Sequence, residues 1–297
     1  GALHLSIAAM WALRHDGRTR QDILVYNWEQ LFATLPVENI PDAAGKDVQF
    51  FQDWVDHPDY DDYWKSLAIK ERYEDVKIPV LQIGGWYDIC ASDTFNNFVG
   101  MRERGGSGLS RNNQQAVVGP WVHSASEFTN AGEMDFGKHA KLDLQEIELR
   151  WFDYWLKDVP NGADQDAPLR IFVMGSNEWR EETEWPLART EFTPYYFHSN
   201  GNANSLSGDG KLSSTLPSDE PSDKYIYNPA FPVPTKGGNT CCTPELVPWG
   251  VYDQRSLEHR TDVLVYTSDE LEQDVETTGP IVVKLYASTD GCDTDFT

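Results

Sequence analysis

The sequence is short of cysteine, of basic residues and of long apolar runs, and each shortage argues against one kind of site or partner. Its four cysteines form no Cys-x-x-Cys pair and no cysteine–histidine cluster with zinc spacing, so no metal is expected. Lys and Arg number 24 against 48 Asp and Glu, and the net charge of −24 argues against nucleic-acid and anionic-membrane partners. No apolar run approaches the roughly 18 residues that cross a bilayer. We therefore expect a soluble protein and favour a cytoplasmic one.

A nucleophile elbow is also missing. Serine hydrolases of the α/β class carry Gly-x-Ser-x-Gly, whose glycines allow the sharp strand-to-helix turn that exposes the serine. Residues 105–109, Gly-Gly-Ser-Gly-Leu, come closest and fail at the last position. In that fold the serine precedes the acid and the histidine. If this chain is such a hydrolase, we expect its serine before Gly1 and the chain to be part of a longer protein.

Two short motifs place an acid and an imidazole directly after apolar runs. Residues 84–88, Gly-Gly-Trp-Tyr-Asp, follow one run, and residues 119–123, Gly-Pro-Trp-Val-His, follow another. Asp88 and His123 thus occur in the order of a triad acid and base. An imidazole can take the serine proton near neutral pH, and a carboxylate beside it fixes its tautomer. We expect the two side chains to meet within hydrogen-bonding reach at one edge of a mostly parallel sheet.

The cysteines are interpreted as free thiols. Disulfide geometry disfavours a bridge between neighbours, so Cys241 and Cys242 are not expected to pair. Cys90 lies two residues after Asp88 and is expected near the pocket. A nucleophilic role for Cys90 is disfavoured, because no helix start or adjacent histidine singles it out.

Hydrophobic patterning divides the chain into three parts. Residues 1–76 show helical spacing without a strand signal, and this part is predicted to be a helical cap. Residues 77–176 alternate strands at 79–84, 114–118 and 169–174 with helices, the last helix expected at 138–159. Residues 177–297 contain short β-rich runs at 195–197, 225–227, 263–266 and 281–286, separated by turn residues. The predicted fold is a partial α/β-hydrolase with a mostly parallel sheet and a helical cap, followed by a partial all-β jelly-roll domain.

Several stretches together resemble one family, the X-prolyl dipeptidyl peptidase-like serine hydrolases, in their cocaine esterase-like (CocE/NonD) branch. The stretches span nearly the whole chain in family order, and their combination is far more specific than any one of them. Besides residues 85–88 and 119–123, they are Val-Asp-His-Pro at 55–58, Phe-Val-Met-Gly at 172–175, Glu-Trp-Arg at 178–180, Trp-Pro-Leu at 185–187, Tyr-Asn-Pro at 227–229, Gly-Gly at 237–238, Asp-Gln-Arg at 253–255 and Asp-Thr-Asp-Phe at 293–296.

The resemblance implies a hydrolase of acyl esters or amides. It implies Asp88 as the triad acid, His123 as the general base, and Ile89 and Cys90 as residues lining the acyl pocket. Trp86, Tyr87 and Trp121, in the same two motifs, are the further candidates for contact with a small-molecule ester or amide substrate. No cofactor and no metal is implied. A homo-oligomer is left open.

Three interpretations compete. The first is a serine hydrolase, with an esterase or acylase favoured over an X-Pro dipeptidyl aminopeptidase. The second is a non-catalytic carbohydrate-binding β-sandwich module, since jelly rolls include lectin domains. The third is a structural pseudo-hydrolase. The ordered pair of Asp88 and His123 favours the first, because a binding module needs neither an acid nor a base.

Overall fold

The computed structural model of this chain describes residues 3–123, 126–292, 294 and 296, so Asp293 and Asp295 of the last family stretch lie outside the described residues. Residues 3–79 contain helices and no strand, as the sequence predicts. None of the helices in the described part is long and apolar enough to cross a bilayer. The helices are α1 (Leu5–His15), α2 (Trp28–Phe32), α3 (Ile40–Ala43), α4 (Gln49–Asp56) and α5 (Asp62–Leu67), with 3-10 turns at Val37–Asn39, Ile69–Glu71 and Tyr73–Asp75.

The apolar faces of these helices form a core of their own. Phe51 of α4 and Leu13 of α1 are fully buried in it, and Trp28 donates its indole N–H to the carbonyl of Ile23 at 2.8 Å. Val247, from far along the chain, belongs to the same cluster. The helical layer is therefore tied to a late loop by apolar packing.

A four-stranded sheet follows the helices, in the order β1-β2-β5-β6. β1, β2 and β5 are parallel, and β6 adds to β5 in the antiparallel sense. This confirms the mostly parallel sheet; the pairing of β5 with β6 also extends past residue 176, where the sequence placed a boundary. The elements of this region are β1 (Val80–Tyr87), α6 (Ala91–Arg104), α7 (Gly108–Asn112), β2 (Gln114–Val122), β3 (Asn130–Ala131), β4 (Met134–Asp135), α8 (Leu144–Lys157), β5 (Leu169–Val173) and β6 (Glu178–Glu182), with 3-10 turns at Lys138–Ala140 and Ala163–Gln165.

Helix α6 covers the start of the sheet. Phe95 and Phe98 of α6 pack on Val118 of β2 and Ile171 of β5, which are fully buried. Burial by a helix layer explains why these strands read as continuous apolar runs instead of alternating ones. The packing fixes β1 and β2 side by side, with Gly85 opposite Gly119.

Both strands run further than predicted. The motifs at 84–87 and 119–122 continue the strands, where the sequence indicated turns, and the register shifts between Gly85 and Tyr87. A shift of this kind re-aims side chains at the end of a strand. The carboxyl ends of β1 and β2 therefore deliver residues 88 and 123 to the same edge of the sheet.

Helix α8 is shorter than the predicted helix at 138–159. Asp143 is its N-cap and accepts a hydrogen bond from the backbone N–H of Glu146 at 3.1 Å. Such a cap satisfies a donor that has no partner within the helix and sets the helix start. The apolar spacing predicted a start for α8 that is too early, because residues 138–140 form a separate 3-10 turn.

The C-terminal region is β-rich but only partly in strands. Its elements are β7 (Tyr196–His198), paired with β8 (Lys211–Ser213), and helix α9 (Arg255–Glu258). Residues 263–267 join this pair through bridges to Asn204 and Lys211. The strands predicted at 225–227 and 281–286 do not form, and the apolar side chains of the second run lie exposed. Apolar character predicted strands there, but the described residues offer them no pairing partner.

A substitution at Gly85 tests the close approach of β1 to β2, which positions the candidate site. A Cβ at this glycine would lie 2.2 Å from the carbonyl oxygen of Trp121, so Gly85→Ala must push β1 from β2. We expect a loss of about 1–3 kcal/mol in the free energy of unfolding, measured by urea denaturation. Gly108→Ala is the matched control, because its Cβ meets nothing within 4 Å. Equal stability of the two variants would contradict the packing described here.

Candidate active site

Asp88 is the buried half of the candidate site. Its side chain is 9% exposed, directly after β1. The Oδ1 atom accepts a hydrogen bond from the backbone N–H of Cys90 at 2.7 Å, and the Asp88 N–H donates to the carbonyl of Gly85 at 3.1 Å. The tight turn after the strand therefore holds the carboxylate in one orientation.

His123 meets this carboxylate. Its Nδ1 lies 3.1 Å from both Oδ1 and Oδ2 of Asp88, and its side chain is 37% exposed. The expected juxtaposition of acid and imidazole at one edge of a mostly parallel sheet is confirmed. An ionised carboxylate only accepts hydrogen bonds, so Nδ1 carries the proton in the neutral ring. Among the residues that the structure describes, the other ring nitrogen, Nε2, forms no hydrogen bond.

Asn239 lies outside the sheet and forms hydrogen bonds with the backbone around Asp88. This residue was not identified from the sequence. Its Nδ2 donates to the carbonyl of Asp88 at 2.9 Å and to that of Trp86 at 3.1 Å. It follows Gly237 and Gly238, both at positive φ and both noted in the family resemblance. The glycine pair was the available signal, because it marks a turn, but the 151 residues that separate Asn239 from Asp88 hid the contact.

The prediction that Cys241 and Cys242 stay unpaired is wrong. The two residues form a disulfide, with their Cα atoms 3.7 Å apart and Cys242 at a φ of 81°. Ordinary disulfides join more widely separated Cα atoms, and the prediction rested on that rule. The left-handed backbone at Cys242, in a loop of glycines, was not visible in the sequence.

The disulfide lies beside His123. A ring nitrogen of His123 and the sulfur atoms of Cys241 and Cys242 are all within 4.8 Å of one another. The sequence contained no cluster with zinc spacing, yet the fold assembles two cysteines and a histidine from distant positions. No metal was expected from the sequence. Among the described residues, His123, Cys241 and Cys242 are a group whose side chains could bind a metal ion.

Cys90 and Ile89 lie beside the acid, and their predicted place in the lining of an acyl pocket stays a prediction. Ile89 is partly buried and Cys90 is exposed, at the N-cap of α6. The pKa of the Cys90 thiol is raised, first by the burial of its sulfur and then by the nearby carboxylates of Asp88 and Asp93. A raised pKa lowers the thiolate fraction, which is the reactive form. This agrees with the sequence-based preference against a nucleophilic cysteine. One ground for that preference was wrong, because Cys90 does lie at a helix start.

The aromatic candidates take part in packing. Trp121 is 3% exposed and donates its indole N–H to the carbonyl of Ala140 at 2.7 Å. Trp86 donates to the carbonyl of Phe172 at 2.7 Å and stacks on Phe95. Their predicted contact with substrate gains no support from these positions, because both indoles are engaged within the protein.

Tyr87 is partly buried, and burial raises the pKa of its hydroxyl. The hydroxyl contacts the sulfur of Met174 at 3.4 Å. Its predicted role in substrate binding stays a prediction.

The nucleophile is the part of a triad that these residues do not supply. Across residues 3–123 and 126–292, no hydroxyl forms a hydrogen bond with His123. The geometry therefore consists of an oriented acid–base pair whose Nε2 is free to accept a proton.

Two family models match the chain. Residues 6–125 match the X-Pro dipeptidyl-peptidase (S15 family), and residues 161–297 match the X-Pro dipeptidyl-peptidase C-terminal non-catalytic domain. The chain is therefore similar to the X-Pro dipeptidyl-peptidase family in both its S15 part and its C-terminal part. The family resemblance predicted from the sequence is confirmed, and with it the α/β-hydrolase sheet followed by a β-rich C-terminal domain.

Individual relatives cover the chain well but are themselves longer. "Cocaine esterase" of Rhodococcus sp. (strain MB1 Bresler) is 37% identical over 246 residues, which make up 82% of this chain and 41% of that protein. The crystal structure of an aminopeptidase from the marine sediment archaeon Thaumarchaeota archaeon matches with a TM-score of 0.68 at 22% identity, over 92% of this chain and 45% of that one. The likeness to the aminopeptidase shows a shared fold. The chain spans less than half the length of each.

Asn239→Ala tests the brace on the acid. The variant removes the donor to two backbone carbonyls, and we expect it to lower the free energy of unfolding by about 1–2 kcal/mol in urea denaturation. Asn202→Ala is the matched control, since its side chain makes a single exposed hydrogen bond of 3.5 Å. If both variants are equally stable, Asn239 does not hold the acid loop.

Proposed function

We propose that this chain supplies the acid and the general base of a serine hydrolase that cleaves acyl esters or amides. The observation that carries the proposal is the hydrogen bond between a buried Asp88 carboxylate and His123. The serine is contributed by residues outside these 297, because the sequence contains no Gly-x-Ser-x-Gly window. The substrate is a small-molecule ester or amide, and neither a cofactor nor a metal is needed for this chemistry.

The geometry suits the steps of acyl transfer. Nε2 of His123 takes the serine proton while the hydroxyl attacks the acyl carbon, and then gives it to the leaving group. Asp88 keeps Nδ1 protonated and stabilises the imidazolium without taking the proton itself. Attack by water on the acyl-enzyme, assisted by the same nitrogen, completes turnover.

Between the two hydrolase classes, an esterase is favoured over an X-Pro dipeptidyl aminopeptidase. The 37% identity to a cocaine esterase supports this choice, although both family models carry the peptidase name. An X-Pro peptidase must also hold the amino terminus of its substrate with an acidic group. Asp88, the acid beside His123, is already engaged by the imidazole.

The other interpretations have less support. A carbohydrate-binding β-sandwich module needs neither an acid nor a base, so the hydrogen-bonded pair of Asp88 and His123 does not favour it. A pseudo-hydrolase would have no use for a buried carboxylate aimed at an imidazole. A cytoplasmic location is a further part of the proposal and rests on the sequence, while a homo-oligomer is left open.

His123→Ala tests the proposed base. In the complete protein that includes the serine, we expect the rate of labelling by a fluorophosphonate, a probe for activated serines, to fall about 10²–10⁴-fold. Asp88→Asn should also slow labelling, because the imidazole loses its tautomer control. His259→Ala, at another exposed histidine, is the control and should label at the wild-type rate. Equal rates for wild type and His123→Ala would remove His123 from the mechanism.

Substrate preference separates the two hydrolase classes. We expect the complete protein to hydrolyse a p-nitrophenyl acyl ester with a higher kcat/KM than an X-Pro p-nitroanilide. Both substrates release p-nitro chromophores and are measured by absorbance on one sample. A higher kcat/KM for the X-Pro anilide would replace the esterase proposal with the peptidase one.

A further inference from the structure

The loop at 238–250 joins the helical layer to the acid–base pair. Thr243 accepts a hydrogen bond from Arg14 of α1 at 3.1 Å, and Val247 packs among the helices. Between these anchors and Asn239 lie Cys241, which is buried, and Cys242, which is exposed. The loop therefore holds two sulfur atoms close to the imidazole of His123.

We propose that reduction of the Cys241–Cys242 disulfide opens a three-ligand site for a thiophilic divalent cation of the zinc class, with Nε2 of His123 as the third ligand. The two sulfurs and a ring nitrogen of His123 already lie within 4.8 Å of one another. Nε2 is assigned as the ligand because Nδ1 is the nitrogen that faces Asp88. This site shares His123 with the proposed hydrolase chemistry, but its formation makes no use of a serine.

The ligand set points to zinc among common cations. Two thiolates and an imidazole are the combination that zinc prefers, while calcium and magnesium take oxygen ligands. With Zn–S near 2.3 Å and Zn–N near 2.0–2.1 Å, tetrahedral ligands lie about 3.5–3.8 Å apart. The bonded sulfurs must move apart to reach that separation, and Cys242, the exposed one of the two cysteines, is the one with room to move. A fourth position stays open for water.

The Asp88 carboxylate strengthens the argument. Metal-binding histidines usually donate their second ring N–H to a carboxylate or a carbonyl, which fixes the tautomer and raises the basicity of the ligand nitrogen. His123 has this partner, since its Nδ1 lies 3.1 Å from both Asp88 oxygens. The ring is thus oriented with Nε2 available before any cation arrives.

The redox step requires an external dithiol or phosphine reductant. A dithiol gives two electrons and two protons to the disulfide, which becomes two thiols as the reductant becomes a cyclic disulfide. Zinc then binds as the two thiols release their protons, because only thiolates ligate the metal. In the oxidised protein the sulfurs are bonded to each other and the site is closed.

A cation bound at this site would prevent His123 from acting as the general base. A cation on Nε2 holds the lone pair that must accept the serine proton, so the reduced, zinc-bound protein would be inactive. This consequence rests on the proposed function, whereas the metal site itself does not. The oxidation state of Cys241 and Cys242 would then decide whether zinc can bind and inhibit the enzyme.

Cobalt is the spectroscopic probe for the site. The 297-residue chain is reduced with a phosphine, which is then removed, and titrated with Co²⁺ under inert gas. We expect one Co²⁺ per chain, with a thiolate-to-cobalt charge-transfer band and the visible bands of four-coordinate cobalt, all displaced by Zn²⁺. The oxidised chain should show none of these bands. Their absence after reduction would overturn the proposal.

Variants assign the ligands. The double variant Cys241→Ser/Cys242→Ser should lose the charge-transfer band, and His123→Ala and His123→Gln should each weaken zinc affinity at least about tenfold in competition with a chromophoric chelator. Cys90→Ser/Cys292→Ser is the control and should bind like wild type, because those thiols lie outside the cluster. Circular dichroism confirms that each variant is folded. Wild-type affinity in both folded His123 variants would contradict the three-ligand site.

Alkylation and labelling complete the test. Iodoacetamide should modify two cysteines of the unreduced, denatured chain and four cysteines after reduction. Modification of four cysteines before reduction would show that the disulfide is absent and would contradict the proposal. In the complete protein, Zn²⁺ should suppress fluorophosphonate labelling after reduction and not before. If zinc binds through His123 and labelling persists, the assignment of His123 as base fails and the metal site stands.

Discussion

The parallel pairing of β1 with β2 is the constraint on which the site depends. Asp88 and His123 are 35 residues apart, and they meet because each follows the carboxyl end of one of two hydrogen-bonded strands. Gly85 and Gly119 face each other in the register, and a side chain at Gly85 would meet the carbonyl oxygen of Trp121 in β2. Apolar packing by α6 keeps the pair of strands in place. The acid–base geometry is thus a product of sheet register and close backbone approach.

A late loop completes the environment of that pair. Asn239 braces the acid, and Cys241 and Cys242 flank the base, all within four residues of one another. The same loop reaches the helical layer through Thr243 and Val247. This one loop therefore contacts the helical layer, the end of β1 and the surroundings of His123.

Sequence patterning succeeded where the physics is local or strongly periodic. Buried parallel strands are continuous apolar runs, so β1, β2 and β5 were predictable, and so was the meeting of Asp88 with His123 at their ends. Contacts of Asn239 were not, because a single amide donor carries no pattern. The Cys241–Cys242 bridge was missed for a related reason: it depends on one left-handed residue. Apolar content overpredicted the strands at 225–227 and 281–286, since a strand also needs a partner.

The protonation of the His123 ring tests the central claim most directly. Long-range ¹H–¹⁵N correlation on the oxidised chain, recorded about two pH units above the usual imidazole pKa of about 6.5, shows which nitrogen carries the proton. The Asp88 hydrogen bond predicts a proton on Nδ1 and a free Nε2, and a change in this pattern in Asp88→Asn. A proton on Nε2 in the wild type, unchanged by Asp88→Asn, would contradict the acid–base pair.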